Sequence, residues 1–125
     1  MQTAGTADHR ITIEPAPGRV RARLNDGIIA DSKAALVLRE ADYPPVYYFP
    51  ADDVERGYLG QTELTTHCPH KGDASYWTIT RHTDIVENGV WSYQNPKPEV
   101  REIAGMLAFD TRKGIEVYEV DPTDA

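Results

Sequence analysis

Polar and apolar positions alternate with period two along most of the chain. In Arg19-Val20-Arg21-Ala22-Arg23-Leu24, Val20, Ala22 and Leu24 fall on one face and the arginines on the other. That is the spacing of a strand with one buried side. Asn25-Asp26-Gly27 follows and predicts a hairpin turn, because Asp-Gly readily takes the positive φ such turns need. Ile28-Ile29-Ala30 then pairs back. Ala34 to Arg39 fits a strand or a helix, and Tyr43-Pro44-Pro45 ends it in either case. Val46 to Phe49 is β-branched and aromatic, so it reads as a strand. Ser75 to Thr80 and Ile85 to Tyr93 read as two more, the second interrupted by a turn or bulge at Asn88-Gly89.

Helical signals are short. Acidic residues near Asp52 suit one helical turn, and Glu99 to Ala104 suits another, with Gly105 at its C-terminal stop. Met106 to Phe109 and Ile115 to Val120 predict a final hairpin around Asp110-Thr111-Arg112-Lys113-Gly114. The pattern amounts to about seven or eight short strands with turn signals every 8–12 residues, which argues for a mainly β, antiparallel sandwich or barrel-like fold with one or two short helices. Residues 1–8 and 121–125 are small and polar and read as a disordered tail at each end of a single β domain over residues 9–120.

A chain of 125 residues is long enough to bury one core. Its net charge of -7 repels nucleic acid and anionic membrane, so neither is an expected partner. Arg19, Arg21 and Arg23 form a basic stripe, read as a solvated face neutralised by neighbouring acids. A single cysteine excludes an intrachain disulfide framework. It suits a reducing compartment, and with no secretory signal and no long apolar run the expectation is a cytoplasmic protein outside the membrane. An exposed edge strand is capable of building a homodimer.

Candidate chemistry concentrates in Thr65-Thr66-His67-Cys68-Pro69-His70-Lys71-Gly72. Cys68 is a candidate nucleophile if His67, His70 or Lys71 faces it, since the thiolate is the reactive form. The competing reading is a cysteine packed as a small hydrophobe. In an extended strand His67 and Cys68 point to opposite faces, while Pro69 turns the chain. His-Cys-x-His offers three donors, but a structural zinc takes four, so no metal and no other cofactor is expected. Lys71 suits a carboxylate or phosphate, or is a solvated loop lysine. Gly72 allows close backbone approach or positive φ. Asp53 is a candidate acid or base, with the start of the short helix as the stronger alternative. Tyr48, Tyr76, Trp77 and Trp91 are the aromatics expected to line a pocket, with His70 and Arg39 as further ligand contacts; the remaining aromatics are expected in the core.

Arg19-Val20-Arg21-Ala22, Ala30-Asp31-Ser32, Leu38-Arg39-Glu40, Tyr47-Tyr48-Phe49-Pro50, Asp53-Val54, Thr66-His67-Cys68-Pro69 with Lys71-Gly72, Ser75-Tyr76-Trp77, and Trp91-Ser92-Tyr93 with Pro96 follow one another in order. In this series the chain resembles the bacterial and fungal family called domain of unknown function 427, from about Ile11 to Phe109. The resemblance implies a small antiparallel, Mss4-like β-tent fold. Relatives of that fold often hold zinc with two cysteine pairs, which one cysteine cannot build. A nucleotidyltransferase-like label sometimes attached to the family finds no support in the residues: there is no Gly-Ser followed by paired aspartates and no glycine-rich phosphate loop. The function expected is a small-molecule-binding domain with an aromatic-walled polar pocket beside Cys68. The rivals are a cysteine- or acid/base-dependent enzyme acting on a small carbonyl or acyl substrate, and a protein-interaction module.

Overall fold

The computed structural model describes residues 10–124. Three antiparallel sheets make up the described chain. The first has the order β1 (Ile11–Pro15), β4 (Leu36–Glu40), β5 (Val46–Tyr48). The second has the order β10 (Ile115–Glu119), β2 (Val20–Leu24), β3 (Gly27–Ser32). The third runs β6 (Leu59–Cys68), β7 (Gly72–Arg81), β8 (Asp84–Ser92), β9 (Ala108–Phe109). The fold is mainly β, as its periodicity dictates, but the sheets do not close into a barrel. Its helical pieces are all 3-10 turns, including Ala51–Asp53 near the expected acidic start and Pro98–Ile103 where a short helix is expected. Pro98 lacks an N–H and Val100 sits at φ -125, so no regular α-helix propagates there.

The period-two face of β2 behaves as read. Val20, Ala22 and Leu24 are buried. Arg21 and Arg23 reach Asp31 and Glu116 at 3.3 and 2.7 Å, and Arg19 reaches Asp31 at 3.4 Å, so the basic stripe is neutralised in place. The β2–β3 turn is a hairpin, but Asn25 rather than Gly27 takes the positive φ, at 54°. Gly27 has a different reason: the Arg81 guanidinium lies against it, where a Cβ would meet Arg81 Cζ at 2.1 Å. The expected hairpin between residues 106 and 120 does not form. β9 pairs with β8, and β10 crosses to pair with β2. Asp110–Gly114 joins two different sheets. Asp110 caps its 3-10 turn by accepting from Arg112 N, and Gly114 ends it at φ 86. Pro122–Asp124 is another 3-10 turn, with Thr123 N and Oγ1 both donating to Asp121.

The core has two lobes. One lies under β2, β3 and β10, where Phe49 meets Phe109 edge-on at 5.4 Å. The other gathers Ile11, Leu38, Tyr48, Tyr93, Val100 and Ile103 between the first and third sheets. The third sheet is bent by two bulges. Between Gln61 and Thr65 on β6, and between Val86 and Val90 on β8, two strand segments carry extra residues past β7. Asn88 takes φ 51 at the second bulge, and its Oδ1 accepts from Thr62 Oγ1 in the first at 2.6 Å. Asn88 N donates to Thr78 Oγ1 on the strand between them. Bulges add local twist and re-aim side chains, and these two flank Tyr76 and Thr78 on β7.

Asn88→Val tests this device. A β-branched residue resists positive φ, and the change also deletes the Thr62 acceptor. Urea unfolding should show a loss of about 2 kcal/mol, in the range for one strained residue, against less than about 0.5 kcal/mol for exposed Glu87→Ala. Equal stability of the two variants would show that the bulge is not held by Asn88.

Candidate functional site

A cleft opens between the first and third sheets. Its inner hollow has a volume of about 420 Å³ and an outer, more open one about 1140 Å³. The two share Glu40, Val46, Lys71, Trp91, Asp110 and Arg112. Strand parity explains the aromatic wall. Tyr76 on β7 lies directly across from Trp91 on β8, and Tyr93 stands two residues further on the same face. Tyr48 arrives from β5, 1% exposed, and its hydroxyl oxygen accepts from Trp91 Nε1 at 3.2 Å. Tyr76 and Thr66 share a hydroxyl hydrogen bond of 2.9 Å along the diagonal between β6 and β7.

Below this wall lies an ion pair. Lys71 sits in the β6–β7 turn, whose backbone is fastened on both sides. Lys71 N donates to Cys68 O, and Lys71 O accepts from Lys97 N at 2.9 Å. Gly72 closes the turn at φ 114, with the Asn95–Lys97 backbone packed beside it. So held, the Lys71 side chain enters the cleft and donates to Glu40 Oε1 at 2.5 Å. The two side chains are 10% and 14% exposed. Lys71 Nζ also lies 6.0 Å from the Tyr93 ring centroid, within cation–π range. Glu40 ends β4 on the face it shares with Leu38.

Arg112 projects over the rim. Its Nε and Nη2 engage both oxygens of Asp110 at 3.0 Å, and that pairing holds the Asp110 carboxyl below its ordinary range. The loop is seated on the β8 bulge, since Asp110 N donates to Gly89 O and Lys113 Nζ to Glu87 O, each at 2.8 Å. The device that bends the sheet thus also positions a cation at the mouth. Burial pushes the phenols of Tyr48 and Tyr93 well above the usual tyrosine value. In Tyr93 the nearby Tyr48, Cys68, Tyr76 and Glu40 push the same way. Both hydroxyls therefore keep their protons at neutral pH. Tyr47, on the outer side, is raised to about 12 by burial and by its bond to Glu119.

The structure gathers Cys68, His70, Lys71, Tyr48, Tyr76 and Trp91 around the cleft. It places the other candidates elsewhere. His67 stands opposite Asp73 on the outer face, its Nδ1 2.7 Å from Asp73 Oδ1, while Cys68 turns inward onto the second core lobe. Trp77 faces the first lobe across β7 from Tyr76. Asp53 accepts from Ser32 Oγ at 2.6 Å and ties the Ala51–Asp53 turn to β3. Arg39 lies exposed beside Glu14. Glu40, Tyr93 and Arg112 join the site beyond the expected set. Glu40 lies on the Leu38 face and Arg39 on the Val37 face, and with both apolar residues buried alternation does not choose between them; nothing local marks Arg112. Among the described residues no group of three or more His, Cys, Asp and Glu is placed to hold a metal ion.

Removing one partner of a buried pair costs about 3–5 kcal/mol, whereas apolar replacement of both is often neutral. Glu40→Leu should therefore lower stability by about 3 kcal/mol in urea unfolding, and Glu40→Leu with Lys71→Met should recover most of that loss. Additive losses in the double variant would mean that the two side chains are not coupled.

No curated protein matches the chain. Among the described residues no helix is long and apolar enough to cross a membrane. A family model described as Domain of unknown function (DUF427) matches residues 12–121, which include every strand but the first residue of β1 and every residue of the cleft. The aromatic-walled cleft with its buried Glu40–Lys71 pair is therefore carried by a chain that belongs to the DUF427 family.

Proposed function

We propose that this chain is a small-molecule-binding domain whose ligand occupies the cleft between the first and third sheets. The observation that carries the reading is the Glu40–Lys71 pair set under Tyr48, Tyr76, Trp91 and Tyr93. A buried ion pair adds little net stability compared with packed hydrocarbon. Charged groups held in a concave, mostly aromatic setting are what ligand sites use to orient a bound molecule. The inner hollow, about 420 Å³, lies in the size range of sites for small organic ligands, about 300–1,000 Å³.

Each part has a role in such a site. Trp91 and Tyr76 offer flat apolar faces. The pair at the base supplies a donor and an acceptor side by side. Cys68 contributes a partly buried, polarizable wall. Its neighbour His67 turns to Asp73 and gives it no imidazole. The lining is mixed polar and apolar, which suits a compact ligand with one polar edge better than a flat protein partner.

A fragment screen read by amide and indole NMR shifts tests the proposal. Binders should perturb Tyr48, Tyr76, Trp91 and Tyr93 together, and the Glu40→Leu, Lys71→Met double variant should weaken them at least about tenfold, as expected for loss of charge-assisted hydrogen bonds. Binders that map elsewhere, or affinities unchanged in the double variant, would refute it.

A further inference from the structure

Several hydrogen-bond donors line the inner hollow. An indole N–H only donates, so in the Trp91–Tyr48 contact the phenol oxygen accepts. The Tyr48 O–H keeps a proton to give, and among the described residues no acceptor takes it. Tyr93 is 6% exposed, and among the described residues its hydroxyl makes no hydrogen bond. Lys71 has three N–H donors and gives one to Glu40. All three groups line the same hollow. Of the oxygens lining it, Asn88 Oδ1 accepts from Thr62, Asp110 from Arg112 and Glu40 Oε1 from Lys71, while the second Glu40 oxygen adds one further acceptor. None of these atoms is buried without a partner; they face the hollow, where a molecule bringing acceptors engages them.

Charge narrows the class. Lys71 is matched by Glu40, and Arg112 by Asp110. A carboxylate entering beside Glu40 meets one cation and one anion, and gains little over a neutral acceptor of the same shape. Burial keeps both phenols protonated, so they offer donors throughout the neutral pH range.

We infer that the inner hollow selects a neutral, planar molecule bearing a carbonyl-type oxygen, which accepts from Tyr93, Tyr48 and Lys71 while its ring lies against Trp91. This rests on the cleft being a ligand site, and it adds the chemical class of the ligand. Tyr93→Phe is the informative variant, because it deletes a donor that no described residue uses and leaves the ring in place.

Four probes of one ring size separate the possibilities: benzamide, benzoate, benzylamine and toluene, each titrated by NMR against the full chain. Benzamide should bind tightest, with benzoate no tighter. Tyr93→Phe should weaken benzamide about 5–10-fold, the effect of one neutral hydrogen bond, with toluene binding and melting temperature unchanged. Equal affinity for toluene and benzamide, or an unmoved Tyr93→Phe, overturns the acceptor class and leaves the pocket standing. Benzoate as the tightest probe overturns neutrality. Absence of cleft shifts with all four overturns the pocket itself and this inference with it.

Discussion

The salt bridge from Glu40 to Lys71 joins the end of β4 in the first sheet to the β6–β7 turn of the third. Its side chains are mostly buried while lining the cleft, and two charges in that position lose hydration before attraction and hydrogen bonding return it. The surroundings are built to make that return possible. The turn is pinned through Lys97, Gly72 adopts the backbone conformation that brings it against residues 95–97, and Tyr93 presents its ring to the ammonium. A chain seeking only stability would do as well with leucine and methionine there. The charge retained under aromatic rings is the observation on which the proposed ligand site rests.

The same region shows how irregular backbone serves a site. Regular antiparallel pairing would leave the third sheet evenly twisted. Paired bulges on β6 and β8, locked by Thr62 and Asn88, bend it around Tyr76. The carbonyls exposed at the β8 bulge then receive Asp110 N and Lys113 Nζ, which seats the loop bearing Arg112. Sheet curvature, loop placement and the cation at the rim thus share one cause.

Strand parity made much of this legible in advance. Val20, Ala22 and Leu24 face inward as alternation requires, and Tyr76, Trp91 and Tyr93 share a wall because neighbours two apart on a strand share a face. Parity also separates Trp77 from Tyr76, which it adjoins, but it does not choose between Arg39 and Glu40, because Val37 and Leu38 two places before them are both buried. His67 and Cys68 divide between faces for the same reason. What alternation does not encode is which strand pairs with which. Met106–Phe109 and Ile115–Val120 look like hairpin partners because they are close in sequence, yet each finds better burial in a different sheet. Arg112 and the bulge-to-bulge bond depend on such long-range pairing, so no local pattern announces them.

The central claim is that the hollow above the ion pair is a recognition site read by hydrogen-bond donors. A crystal structure of the chain soaked with benzamide tests it most directly. The account predicts the amide oxygen within hydrogen-bond distance of Tyr93 Oη and Lys71 Nζ, the ring against Trp91, and Glu40 still bonded to Lys71. Benzamide seated outside the cleft, or a cleft collapsed on its own aromatic side chains, would contradict it.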